Sequence, residues 1–180
     1  MNRKWWIAVI AIILFGVESI FAFIFPASLF PDDWIFVPRF LFVFFLMVTV
    51  YYDEKAGLLC AFLFGFFMDL VFTQILGIYL FWYPAIAWLV ARLMKVIHNH
   101  LLIMNFISLL AISALEFGVY FFNKVLQITS MDVATFAENR LVTVLALNFV
   151  FFVLFSYPLK KYLTEIYLEK QEEEGMFQSD

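Results

Sequence analysis

The sequence predicts an all-α polytopic membrane protein with six transmembrane helices and both termini in the cytoplasm. Three observations carry this reading. Hydrophobic residues make up 66% of the 180-residue chain and charged residues only 14%, more apolar surface than a soluble domain of this length can bury. The apolar residues fall in stretches of about 20, the length of one bilayer crossing, separated by short charged segments. The period-two alternation of an outer-membrane barrel is absent.

Residues 5–25 form the first span. Arg3 and Lys4 before it resemble the start of a signal peptide, but the run is long enough to cross and carries Glu18. No A-x-A-like site follows, so it is read as a retained helix. The second span covers residues 34–52, with Pro38 tolerated near its first turn. The third, residues 56–72, is short, and Thr73, Gln74 and Gly77 make a tight turn into the fourth, residues 77–96. Pro84 interrupts that fourth span and frees a carbonyl near Leu80, a break that suits either a cavity lining or plain packing. The fifth covers residues 101–122 and the sixth residues 141–157, closed by Pro158.

Lysine and arginine set the orientation. With the N-terminus inside, the inner segments carry Arg3, Lys4, Lys55, Arg92, Lys95, Lys160, Lys161 and Lys170, and the outer side only Arg39, Lys124 and Arg140. Residues 1–158 read as a single six-helix transmembrane domain and residues 159–180 as an acidic cytoplasmic tail. That tail, KKYLTEIYLEKQEEEG onward, reads as a solvated end; the other reading is an interfacial helix with Leu163, Ile166 and Tyr167 on the membrane. The one cysteine, Cys60, lies within a span and reads as a small packing residue.

Ionisable residues inside the membrane are the chemical signal. Glu18, Asp69 and Glu116 lie past the middle of the three outward-running spans, and Arg39 and Arg140 open spans two and six at the same depth. Each unpaired carboxylate at the bilayer centre costs about 2.5–3.5 kcal/mol on insertion scales, so the five residues are expected to gather in one buried polar cluster. Spacing aims them inward. Gly57, Ala61, Gly65 and Asp69 recur every four residues, a small-residue stripe that lets helices approach closely. Asn105, Ser113, Glu116, Tyr120 and Asn123 share one face of span five. Two readings stay open: ion pairs and helix-terminus bonds that fix helix register, or a pocket for a ligand, a proton or a partner's helix.

Other signals are thin. His98-Asn99-His100 offers two ligands without a third and reads as interfacial histidines, so no metal is expected. Phosphate-binding glycine loops, nucleophile–base sets and CxxC pairs do not occur, so neither a cofactor nor an enzyme activity is expected.

Five stretches carry a family resemblance: ESIF at 18–21, VPRF at 37–40, GFFMD at 65–69, LGIY at 76–79 and LEFGVY at 115–120. With the length and the six spans, the chain resembles the rod shape-determining MreD family, in forms closest to those of Gram-positive rods. The resemblance implies a non-enzymatic membrane scaffold of the cell-wall elongation complex. Its implied partners are the transmembrane helix of MreC, then MreB, RodA and a class B penicillin-binding protein, with self-association left open. It also implies a fold shared with the substrate-binding subunits of energy-coupling-factor transporters. A vitamin-type transport subunit is the alternative function. Such subunits carry an A-x-x-x-A stripe on the first helix, which is missing here: Ala8 and Ala11 are three apart and position 12 is isoleucine.

Overall fold

The computed structural model describes residues 5–25, 34–73, 75–97 and 100–177, with side chains through residue 172. Arg3, Lys4, Gln74, His98 and Asn99 lie outside the described residues. The regular elements of the described residues are all helices: α1 (Trp5–Ile24), α2 (Phe40–Tyr51), α3 (Glu54–Phe72), α4 (Ile78–Ile97), α5 (Leu101–Val125), α6 (Val133–Phe136) and α7 (Val142–Phe177). A single π turn, Ala137–Leu141, joins α6 to α7 without a break. Among the described residues five helices are long and apolar enough to cross a membrane, α6, the π turn and α7 counting as one. The protein is therefore a multi-pass membrane protein.

The second expected span is the main correction. Residues 34–39 are not helical, and α2 is only 12 residues long, about 18 Å at 1.5 Å per residue. Pro38 is the local cause: it pushes Val37 toward extended backbone and supplies no N–H to a preceding turn. Ten of the twelve α2 residues are buried, from Leu41 through Thr49 and then Tyr51. A helix apolar all round sits inside protein, and α2 is the post around which α1, α3, α4 and α7 pack. Phe42 meets Tyr83 of α4 with ring centroids 4.8 Å apart, and Phe45 meets Phe64 of α3 at 5.4 Å.

Glycine sets the closest approaches. A Cβ on Gly57 would lie 2.6 Å from the backbone nitrogen of Thr49 on α2, and one on Gly65 would lie 2.6 Å from the carbonyl oxygen of Tyr79 on α4. Backbone cannot rotate aside as a side chain can, so Gly65→Ala must push α3 and α4 apart. The expected cost is about 1–3 kcal/mol, read as a lower unfolding midpoint in detergent. Gly16 is the control: a Cβ there meets nothing within 4 Å, so Gly16→Ala is expected to leave the midpoint unchanged or to raise it.

The last helix also departs from expectation. Pro158 lies inside α7 instead of ending it. A proline removes one helical hydrogen bond, and contacts beyond it hold the helix on course. Leu163 and Ile166 are buried in the core, while Tyr167 stays partly exposed. The Lys160 ammonium sits 5.1 Å from the centre of the Tyr51 ring, and Lys170 Nζ donates to Asp53 Oδ2 at 2.7 Å. Residues 159–172 are thus docked on the α2–α3 turn, not a loose solvated end. Asp53 also caps α3 by accepting from the Ala56 N–H at 2.8 Å. Partial burial raises the Asp53 carboxyl, but the Lys170 and Ala56 bonds outweigh it and hold the group below its ordinary value. At this same end Lys95 pairs with Glu54.

Candidate functional site

The three acids meet two kinds of partner. Glu116 on α5 is fully buried and lies between two guanidiniums. Its Oε1 accepts from Arg39 Nε at 2.6 Å, and its Oε2 accepts from Arg140 Nε at 2.7 Å. Arg39, only 3% exposed, also donates from Nη2 to the Tyr79 hydroxyl at 2.8 Å, and its backbone N–H donates to Asn148 Oδ1 at 3.0 Å. One residue at the head of α2 thereby ties α4, α5 and α7 together. A buried ion pair offsets its desolvation only when the geometry is good and the remaining donors are satisfied, and this arrangement meets much of that condition.

Glu18 on α1 turns to backbone. Its Oε1 accepts from the N–H of Leu41 at 2.8 Å. That N–H belongs to the first turn of α2, whose leading N–H groups have no partner within the helix. The helix dipole adds to the attraction, since the N-terminus of α2 carries partial positive charge.

Asp69 does the same for α4. Its Oδ2 accepts from the N–H of Gly77 at 2.8 Å and of Leu80 at 3.0 Å, and its Oδ1 from the N–H of Tyr79 at 2.9 Å. Gly77 takes a positive φ of 116° to start the helix, a conformation that favours glycine. The carboxylate ending α3 therefore caps the helix that follows it. The single cluster expected from the sequence is accordingly divided. Glu116, Arg39 and Arg140 are in direct contact, and Glu18 stands beside them through Leu41. Among the described residues Asp69 is joined to them through Tyr79, whose N–H donates to Asp69 and whose hydroxyl accepts from Arg39.

The π turn positions Arg140. Widening the helix by one residue frees carbonyl groups from the regular ladder, and Asn139 O accepts from the Ile35 N–H at 2.8 Å. Thr143 Oγ lies 2.7 Å from the Ile35 carbonyl. The non-helical 34–39 segment is therefore sewn to the start of α7, and Arg39 is delivered inward past a buried Pro38. On α5, Asn105 donates to Ser156 Oγ at 3.3 Å, Tyr120 to the Met131 carbonyl at 2.9 Å, and Ser113 back to Leu109 within its own helix. Among the described residues no group of three or more His, Cys, Asp or Glu side chains could hold a metal ion.

Comparison with known proteins agrees with the resemblance. The family model described as MreD, rod shape-determining protein MreD, matches residues 2–166. The chain belongs to the MreD family. It is similar to the rod shape-determining protein MreD of Bacillus subtilis (strain 168), with 24% identity over 171 residues, covering 95% of this chain and 99% of that protein. No solved structure matches the chain.

The five MreD-like stretches converge at this end of the bundle. ESIF contributes Glu18, VPRF Arg39, GFFMD Asp69, LGIY Tyr79 and LEFGVY Glu116, and the polar contacts described above join each to at least one other helix or helix terminus. Three participants were not singled out from the sequence. Tyr79 lies in a quoted stretch, LGIY, without a role of its own being drawn from it. Asn148 and Thr143 are lone polar residues in an apolar run, and that isolation inside a span is the signal that could have found them.

Proposed function

We propose that this MreD-family protein is a non-enzymatic scaffold of the cell-wall elongation complex in the bacterial cytoplasmic membrane. Membership in a rod shape-determining family over residues 2–166 is the observation that carries the reading. The family is a shape-determining structural family and not a known enzyme family. In this reading the protein holds the transmembrane helix of MreC and supports peptidoglycan synthesis together with MreB, RodA and a class B penicillin-binding protein. The buried network serves as the rigid frame. An apolar groove of about 450 Å³ between α1 and α7, bordered by Trp6, Ile10, Phe155 and Leu159, supports a seat for that single helix, because packing of apolar side chains drives helix association in lipid.

The topology we propose keeps both termini inside. The non-helical residues 34–39 can add at most about 20 Å, at 3.3 Å per residue, to the ~18 Å of α2, enough reach to cross a ~30 Å hydrocarbon layer. Non-helical backbone is tolerated at membrane depth where protein encloses it, as it encloses Pro38 and Arg39 at the inner end of this segment. The transport-subunit reading is carried no further, since the first helix lacks the alanine stripe.

Depletion of the protein in its host should turn rods into swollen, rounded cells, and MreC should co-purify with it after mild detergent extraction. Rods of normal shape after full depletion would contradict the proposal.

A further inference from the structure

We propose that a cavity beside the charge network binds a small zwitterionic group, its ammonium on Glu18 and its anion on Arg140. The cavity has a volume of about 210 Å³ and lies where α1, α3, α4, the non-helical 34–39 segment and the π turn meet. Its polar lining comes from Glu18, Arg39, Tyr79 and Arg140, and its apolar lining includes Val37 and Met68. The deciding atom is Glu18 Oε2. Glu18 is only 3% exposed, and its Oε1 is occupied by the Leu41 N–H. Its Oε2 is buried with no hydrogen-bond partner among the described residues. A buried acceptor left empty costs about 1–3 kcal/mol, and almost all buried polar atoms in folded proteins are partnered. Glu18 lines the cavity, and we place the missing donor for Oε2 there.

Charge balance selects the class of ligand. Arg39 and Arg140 are matched in formal charge by Glu116 and Glu18, so a lone cation or a lone anion would leave a net charge in a largely desolvated site. A zwitterion keeps the balance and meets both demands. Its ammonium fills Oε2. Its anion meets the guanidinium of Arg140, whose Nε is held by Glu116 and which also lines the cavity. The volume, room for about seven waters at ~30 Å³ each, is below the ~300–1,000 Å³ of a drug-sized site. A free molecule of amino-acid size fits that space, and so does the headgroup of an ethanolamine phospholipid whose tails remain in the bilayer.

The test uses the full-length wild-type protein in phosphatidylglycerol nanodiscs and a hydrophobic carbodiimide, which reacts with carboxyl groups in apolar sites. Mass spectrometry should find adduct on Glu18 and not on Glu116 or Asp69, whose oxygens are occupied. Glycine and glycerophosphoethanolamine, both net-neutral zwitterions, are the soluble probes, and phosphatidylethanolamine mixed into the nanodisc is the lipid probe. Protection of Glu18 by about tenfold at ten times the probe's Kd is expected. Protection by the soluble probes assigns the site to a free zwitterion, and protection by phosphatidylethanolamine alone assigns it to a headgroup. The proposal is overturned if Glu18 is not labelled, if no zwitterion protects it, or if ethanolamine or acetate alone protects it equally well.

Discussion

Replacing Glu116 with glutamine is expected to destabilise the protein by about 3–5 kcal/mol, the range for breaking a buried ion pair by removing one partner. The substitution preserves shape and one acceptor oxygen but removes the negative charge, leaving the buried Arg39 guanidinium to hydrogen-bond only neutral side chains, the new amide oxygen at position 116 and the Tyr79 hydroxyl. The loss arises mainly at Arg39, because Arg140 is partly exposed and partly screened. Since Arg39 heads α2, the damage should reach the central post, and unfolding in a detergent titration should begin there. Tryptophan fluorescence and protease accessibility of the Asp53 turn would report it.

Asp69→Leu is expected to cost nearly as much by a different route. It removes the acceptor for three backbone N–H groups at the start of α4 and for the Thr73 hydroxyl, 3.3 Å from Oδ1. Losing an N-cap costs about 0.5–2 kcal/mol, and the one fully buried donor left empty, the Tyr79 N–H, adds about 1–3 kcal/mol, so a total of roughly 3 kcal/mol is expected. Asp69→Asn keeps one acceptor oxygen and should fall midway. Leu70, more than half exposed toward lipid, supplies the comparison: Leu70→Ala should shift the unfolding midpoint little. An Asp69→Leu protein as stable as Leu70→Ala would contradict the capping role.

Side-chain charge was the part of this site that the sequence made readable. Glu116, Arg39 and Arg140 are opposite charges at one depth, and such residues attract one another wherever the helices place them. The partners of Glu18 and Asp69 are backbone N–H groups at the starts of α2 and α4. These have no residue letter, so the sequence allows helix-terminus bonds without showing which acids make them, and one cluster of five overstates the direct contact. Burial of α2 was hidden for a related reason. LFVFFLMVTV is apolar on every side, and hydropathy cannot tell a helix facing lipid from one enclosed by other helices. Pro38 was read as a first-turn residue, although it marks where non-helical backbone gives way to helix. Pro158 was read as a stop, because the contacts of Leu163, Ile166, Lys160 and Lys170 that carry α7 past it are tertiary. The four-residue stripe ending in Asp69 was visible as spacing. Its tightness, with backbone of Thr49 and Tyr79 inside Cβ reach of Gly57 and Gly65, needed the coordinates.

A double-mutant cycle on Glu116 and Arg140 tests most directly whether one buried network holds the helices together. Glu116→Gln, Arg140→Gln and the double variant would each be unfolded in the same detergent titration. The double variant leaves Arg39 opposed by Glu18 and removes one unmatched guanidinium, so it should be more stable than the sum of the single losses, with a coupling energy of about 1–3 kcal/mol. Losses that add to within about 0.5 kcal/mol would contradict it.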